Sequence, residues 1–214
     1  MSKQEDKISE SVLSTPLSIL SGGGEPICSL ATQPGGAIGV IRVSGEKAIE
    51  ITDKVFHSVR GKHLTDAKGN TLHYGEILDK EGKTIDDVLV SVFRAPHSYT
   101  GENSTEISCH GSAYILNQVV KALIDAGCRQ AQPGEYTQRA YMNGKMDLSQ
   151  AEAVADLIAA SNRATHQVAL SQLKGHFSSE LSLLREQLLK MTSLLELELD
   201  FSDHEELEFA DRTE

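Results

Sequence analysis

The chain has 214 residues, of which 39% are hydrophobic and 24% charged, and its formal net charge is −11. This length predicts one or two domains, and the apolar content is enough for a buried core, which excludes a disordered polypeptide. The lack of tryptophan, the 5% aromatic content and the acidic balance argue against stacking or phosphate-binding surfaces for nucleic acid. A small molecule or another protein is therefore the expected partner.

The N-terminal segment and the cysteines indicate the cellular compartment in which the protein is expected. Residues 1–25 are polar and end in three glycines at 22–24, which predicts a flexible leader. Cys28, Cys109 and Cys128 are odd in number and show no CxxC spacing, so we expect reduced thiols in a cytoplasmic protein rather than a disulfide frame or a zinc site. No run of about 18 apolar residues occurs, so no membrane span is predicted.

Residues 26–132 combine strand and helix patterns. The periodicity predicts strands at 28–32, 37–44, 71–79, 87–94, 104–110 and 128–132, and helices at 45–59 and 112–126. This order indicates an α+β domain with one mixed sheet. On the strand at 104–110, Glu106 and Ser108 share one face, and Ile107 and Cys109 share the other, more apolar face.

Arg42 interrupts an otherwise apolar strand. A charged side chain there must be paired or belong to a site, because burying it alone is costly. Two interpretations stay open: a structural ion pair, or a guanidinium that faces an anionic or carbonyl-bearing ligand. Composition alone favours the ion pair.

Residues 133–157 join two architectures. Pro133-Gly134 predicts a turn, a short helix follows at 136–142, and Asn143-Gly144 can end it in a left-handed cap. Ser149 with Glu152 three residues later predicts a capping box at the start of the next helix. Lys145 lies between these two signals. Spacing alone favours a simple connector with a solvent-exposed lysine.

The remainder of the chain is predicted to be all-helical, with an irregularity at Gly175. A long apolar stripe follows, and a helix with such a stripe needs a partner helix. Between Ser178 and Glu214 there are eleven acidic and three basic residues, and the acids from Glu196 to Glu208 lack the fixed ligand spacing of a metal site. The stripe consists of Leu181, Leu184, Leu188, Met191, Leu195 and Leu199.

Several motifs in order resemble the N-terminal part of the MnmE (TrmE) family of tRNA modification GTPases. They occupy residues 31–45, 95–102, 106, 110–111, 133–157 and 199–201. The resemblance implies that residues 26–132 form a dimerising domain that binds tetrahydrofolate, typically as the 5-formyl form. It further implies that residues 133–214 are a hinge and the first helices of a helical domain, ending where a G domain would begin.

By the same resemblance, the folate contacts carry over to Arg42, Glu106 and Lys145, with no catalytic residue and no metal ligand assigned. A carboxylate can accept hydrogen bonds from the 2-amino group and the ring N–H of a pterin. The two cations suit the pterin carbonyl, the formyl oxygen or the glutamate tail. Which cation binds which group stays open.

The chain also departs from the family pattern. Its glycine-rich loop after Thr32 is one residue shorter, and Ser112 replaces a second glycine. The sequence has no GxxxxGK[ST] loop and no Cys-x-Gly-Lys ending. We therefore expect a fragment without GTPase activity. The resemblance implies GTP, K⁺ and Mg²⁺ binding, the flavoprotein partner MnmG and wobble-uridine modification of tRNA for the full-length protein only.

Two other functions stay open. One is a stand-alone folate-dependent aminomethyl or methyl transferase, against which the long leucine stripe argues. The other is a ligand-free dimerisation module. A dimer that forms equally with and without folate would favour the dimerisation module.

Overall fold

A computed structural model describes residues 24–200, with only the backbone of Asp200. Most of the predicted leader, the acidic end and Phe201 lie outside these residues. The described chain divides into two units, with the boundary between Lys145 and Met146. The division expected from the sequence, between residues 132 and 133, stays a prediction.

The first unit contains seven strands and three α-helices among the described residues. The strands are β1 (Ile27–Leu30), β2 (Ile38–Ser44), β3 (Phe56–Ser58), β4 (Thr71–Leu78), β5 (Thr84–Phe93), β6 (Ser104–His110) and β7 (Arg129–Gln130). The helices are α1 (Ala48–Val55), α2 (Ala113–Asp125) and α3 (Glu135–Met142). A single 3-10 turn covers Leu64–Asp66.

The strands form one sheet in the order β3-β4-β5-β6-β2-β1-β7. All neighbours are antiparallel except β1 and β7, which are parallel. The predicted α+β class with a mixed sheet is therefore confirmed. Helices α1 and α2 cover one face, where Ile49 and Leu116 join Ile41 and Ile107 in the core. Each such fully buried side chain stabilises the fold by about 2 kcal/mol.

The opposite face of the sheet carries polar and exposed side chains, because residues alternate between the two faces of a strand. The register places Arg42 opposite Glu106, Glu106 opposite Ser91, and Ser91 opposite Leu72. These four side chains therefore form one row across β2, β6, β5 and β4. Glu106 lies on this face as the alternation predicted.

The helix predicted at 45–59 is shorter in the structure. It ends at Val55, and Phe56 turns to extended geometry, with φ −95° and ψ 129°, to begin the edge strand β3. Gly75 makes this pairing possible, because a Cβ there would overlap the carbonyl oxygen of His57. Helical periodicity could not reveal the switch, since Phe56 fits the apolar spacing of the preceding helix and is equally suited to the buried face of a strand.

The second unit contains three helices within the described residues: α4 (Leu148–Ala159), α5 (Arg163–Leu173) and α6 (His176–Asp200). The all-helical prediction is confirmed, and Gly175, with φ 78°, separates α5 from α6. The predicted capping box at Ser149 and Glu152 is wrong. Asp147 is the N-cap, and its box partner is Gln150. The six stripe residues on α6 are between 50% and 74% exposed.

Across residues 24–200, no helix is both long and apolar enough to traverse a bilayer.

Candidate ligand-binding site

Arg42 and Glu106 form an ion pair on the open face of the sheet. Both Nε and Nη2 of Arg42 donate to Oε1 of Glu106, at 3.0 and 2.8 Å. The side chains remain 24% and 29% exposed. Within the described residues, Nη1 of Arg42 and Oε2 of Glu106 make no hydrogen bond. The pair therefore presents a free donor and a free acceptor side by side.

Two tyrosine rings hold the guanidinium in place. The Cζ atom of Arg42 lies 4.9 Å from the ring centroid of Tyr99 and 5.6 Å from that of Tyr136. Cation–π contacts of this kind contribute about 0.5–2 kcal/mol. The hydroxyl of Tyr136 also donates to the backbone carbonyl of Arg42 at 2.7 Å. Burial raises the pKa of Tyr136 to about 12, so this hydroxyl keeps its proton at physiological pH.

A cavity of about 330 Å³ opens beside the ion pair. One wall comes from the loop between β5 and β6, which is tied down by a hydrogen bond from Ser98 Oγ to the Glu102 carbonyl at 2.6 Å. The volume is at the lower end of the range typical of small-molecule sites. The lining residues are Arg42, Asn70, Phe93, His97, Ser98, Tyr99, Ser104 and Glu106.

Lys145 binds the same loop but does not line the cavity. Its backbone N–H donates to the Ala140 carbonyl at 2.9 Å, just after the left-handed Gly144, as the predicted cap requires. Its ammonium donates to the Pro96 carbonyl at 3.0 Å. A Cβ at Gly101 would lie 3.2 Å from Cγ of Lys145, so the loop packs on the lysine stem. The structure thus brings Arg42 and Glu106 together and fixes Lys145 at the adjoining loop.

A buried charge network supports this arrangement, and the sequence reasoning missed it. Arg139 is 5% exposed. It donates to both carboxylate oxygens of Glu102 at 3.2 Å, to Glu135 at 3.0 Å and to the Glu25 carbonyl at 2.9 Å. The network fastens α3, which carries Tyr136, to the loop that carries Tyr99. The sequence feature that could have indicated this network is the i,i+4 spacing of Glu135 and Arg139, which is typical of an ion pair on one face of a helix.

A mixed-sheet domain with a polar cavity on its open face, followed by a helical unit, defines the chain as an α+β protein with a helical extension. Residues 26–145 match the family model described as the GTP-binding protein TrmE N-terminus, and residues 148–214 match the MnmE helical domain. The chain belongs to the MnmE (TrmE) family.

Curated relatives in three bacteria are each named tRNA modification GTPase MnmE. The protein of Phocaeicola vulgatus is 57% identical, over 89% of this chain and 44% of the relative. The protein of Bacteroides fragilis is 64% identical, over 88% of this chain and 40% of the relative. The protein of Flavobacterium johnsoniae is 56% identical, over 89% of this chain and 41% of the relative. The chain therefore spans less than half the length of these relatives.

Proposed function

We propose that the first unit binds a reduced folate, 5-formyl-tetrahydrofolate, through Arg42, Glu106 and Lys145. The observation that carries this proposal is the paired Arg42 and Glu106 beside a cavity, with Nη1 and Oε2 left free of hydrogen bonds among the described residues. Family membership supports it, since the matching model covers residues 26–145 of this unit.

The free atoms of the ion pair suit the edge of a pterin. That edge bears a carbonyl oxygen next to a ring N–H and a 2-amino group. The guanidinium of Arg42 donates to the carbonyl, and the second oxygen of Glu106 accepts from a ring N–H or the amino group. The ammonium of Lys145, at the adjoining loop, suits the formyl oxygen or the glutamate tail.

For the whole protein we propose GTP-dependent modification of the tRNA wobble uridine in the cytoplasm, together with the flavoprotein MnmG and with K⁺ and Mg²⁺. The names of the relatives support the tRNA and GTPase part of this proposal. The 214 residues contain no GxxxxGK[ST] motif, so we assign GTP and these ions to no residue of this chain.

We further propose that the first unit forms a homodimer through the open face of its sheet. Leu72, Tyr74 and Leu89 are 61%, 55% and 41% exposed there. Arg60 and Lys62 line the same hollow as these apolar side chains. Glu76 lies opposite Asp87, one row beyond the pair of Tyr74 and Leu89 on the same face. A second copy related by a two-fold axis can set the basic end against the acidic end.

Isothermal titration calorimetry with folinic acid tests the ligand proposal. We expect the wild-type chain to bind, and Arg42→Ala and Glu106→Ala each to weaken binding about 10- to 100-fold, because each removes a charged hydrogen-bonding group. Lys121→Ala, an exposed change on α2, is the matched control and should bind as the wild type does. Absence of heat from the wild type, or equal binding by all four proteins, contradicts the assignment.

A charge swap separates ligand binding from a purely structural ion pair. The double variant Arg42→Glu with Glu106→Arg keeps two opposite charges on adjacent strands, so its stability should stay near that of the wild type. Its donor and acceptor are exchanged, so folinic acid should no longer bind. Retained binding by the swapped protein would mean that the pair only stabilises the sheet.

A further inference from the structure

We infer that Asn70 is a further ligand-binding residue of this pocket, which recognises a neutral carbonyl or N–H of the ligand's ring; the inference rests on the proposed function. Asn70 lines the cavity together with Arg42 and Glu106. It is also the only non-glycine residue in the described part of the chain with a left-handed backbone, at φ 59°. Such geometry is unfavourable for most side chains and is often found at binding sites.

The backbone around Asn70 is held firmly at the cavity. Its N–H donates to the Val92 carbonyl at 2.7 Å. Arg94 fastens the preceding segment, with Nε donating to the Ala67 carbonyl at 2.9 Å and Nη2 to the Thr65 carbonyl at 2.6 Å. The position of Asn70 is therefore fixed by contacts that do not involve its own side chain.

Asn70 is exposed, and its side-chain amide makes no hydrogen bond within the described residues, so both its donors and its acceptor are open to a ligand in the cavity. An amide offers two N–H donors and one carbonyl acceptor without charge. Arg42 and Glu106 already supply a cation and an anion, so Asn70 adds neutral hydrogen bonding at another part of the lining. This combination fits a flat heterocycle with polar groups on more than one edge, as a pterin has.

A purely structural reason for asparagine must be separated from this role, because asparagine tolerates left-handed geometry better than most residues. The variant Asn70→Gly makes the distinction. Glycine adopts this backbone freely and lacks only the amide. We expect its melting temperature to match or exceed that of the wild type while its affinity for folinic acid falls about five-fold, the effect of one lost hydrogen bond.

Two further proteins complete the calorimetric experiment. Asn70→Asp keeps the shape and the backbone preference but exchanges the donor for a negative charge in the pocket that holds Glu106, so its affinity should fall further. Lys68→Ala changes the same segment outside the lining and should bind as the wild type does. A 5-formyl-tetrahydropterin without the glutamate tail should show the same five-fold loss with Asn70→Gly, since the contact is to the ring.

Each outcome decides between the hypotheses. Weaker binding by Asn70→Gly, with unchanged stability and with both ligands, supports the inference. Equal binding by Asn70→Gly and wild type overturns the inference while leaving the folate proposal intact. A loss confined to the ligand with the tail overturns the assignment to the ring. A wild-type chain that binds neither compound overturns both proposals.

Discussion

At the scale of single residues, the buried charge network around Arg139 stabilises the attachment of α3 to the first unit. A guanidinium that is 5% exposed is tolerated only when its donors are paired, and removing one partner of a buried ion pair is strongly destabilising. Glu135 is the shared partner, because it accepts hydrogen bonds from both Arg139 and Arg129. The stability of the α3 attachment therefore depends on the ionised state of Glu135.

This dependence predicts a pH effect. Burial acts to raise the pKa of Glu135, but hydrogen bonds from Arg129, the Gln132 N–H and Arg139 outweigh it and lower the pKa to about 2, from an ordinary value of 4.5. A carboxyl group with a lowered folded-state pKa stabilises the fold fully above its unfolded pKa, and the contribution is lost as pH falls through the folded pKa. The affected window therefore runs from about 4.5 down to about 2.

We expect Glu135→Gln to lower the free energy of unfolding near neutral pH by about 3 kcal/mol. The difference from the wild type should shrink as pH falls through that window, because the wild-type carboxylate becomes protonated there. Urea unfolding followed by circular dichroism measures both. Glu50→Gln, an exposed change on α1, is the control. A difference that stays constant down to pH 2 would show that the ionised form contributes nothing.

Arg42 and Glu106 were assigned to the site through the family resemblance, because the local pattern alone favours an ion pair for Arg42 and an ordinary exposed strand residue for Glu106. The ion pair is confirmed, and the ligand contact stays a prediction. Tyr136 could not be found in this way. Its contact with Arg42 joins residues 94 positions apart, and no periodicity specifies which face of the sheet α3 covers.

At the scale of elements, the start of α4 shows how local signals compete. Ser149 with Glu152 is a good capping pattern, yet Asp147 with Gln150 forms the box two residues earlier. Asp147 accepts from the Gln150 N–H at 2.9 Å, and the Gln150 side chain accepts from the Asp147 N–H at 2.9 Å. Hydrogen bonds from Ser178 and from the Gln150 N–H lower the pKa of Asp147, so it caps the helix as a carboxylate, which the helix dipole also favours.

This correction predicts different results for two alanine variants. Asp147→Ala should destabilise the first turn of α4 by about 1 kcal/mol, whereas Ser149→Ala should have little effect. Hydrogen exchange of the amides at residues 151–154 is the local measurement, and protection should fall about five-fold in Asp147→Ala only. An equal loss of protection in the two variants would mean that Ser149 also caps the helix, as the sequence pattern predicted.

The strands and helices of the first unit were predicted best where burial alternates over many residues. On β5, Val88, Val90 and Val92 are buried and Leu89 is exposed, which is the pattern that period-two alternation requires. The three-residue strand β3 was missed because so short an element has no periodicity of its own. The strand β3 forms because it pairs with β4, and this pairing depends on tertiary structure rather than on the local sequence.

At the scale of the whole molecule, the apolar surfaces exposed in the described residues include the stripe on α6 and the open face of the sheet. The sequence predicted a partner for the stripe, and this stays a prediction. The open face of the sheet gives more information about its partner, because its apolar centre lies between a basic end and an acidic end. Large exposed apolar patches rimmed by polar residues are typical of interaction sites.

The proposed homodimer predicts that Tyr74→Glu yields a monomer, because the charge would be buried against a second copy of the same apolar surface. Size-exclusion chromatography with light scattering measures the mass. Tyr114→Glu is the matched control, since Tyr114 is 72% exposed but lies on α2, which covers the other face of the sheet. A wild-type monomer, or a dimer that both variants retain, contradicts the proposed surface.

The orientation of the two copies can be tested separately through charge. In a two-fold arrangement, Lys62 of one protomer approaches Asp87 of its partner. Lys62→Glu and Asp87→Lys should each weaken the dimer about ten-fold or more, since like charges then meet across the interface. The double variant restores opposite charges at both ends and should recover most of the affinity. Single variants that leave the affinity unchanged would mean that the copies meet with the opposite orientation, because each end then faces its own kind and reversing its charge in both copies leaves like charges opposite each other.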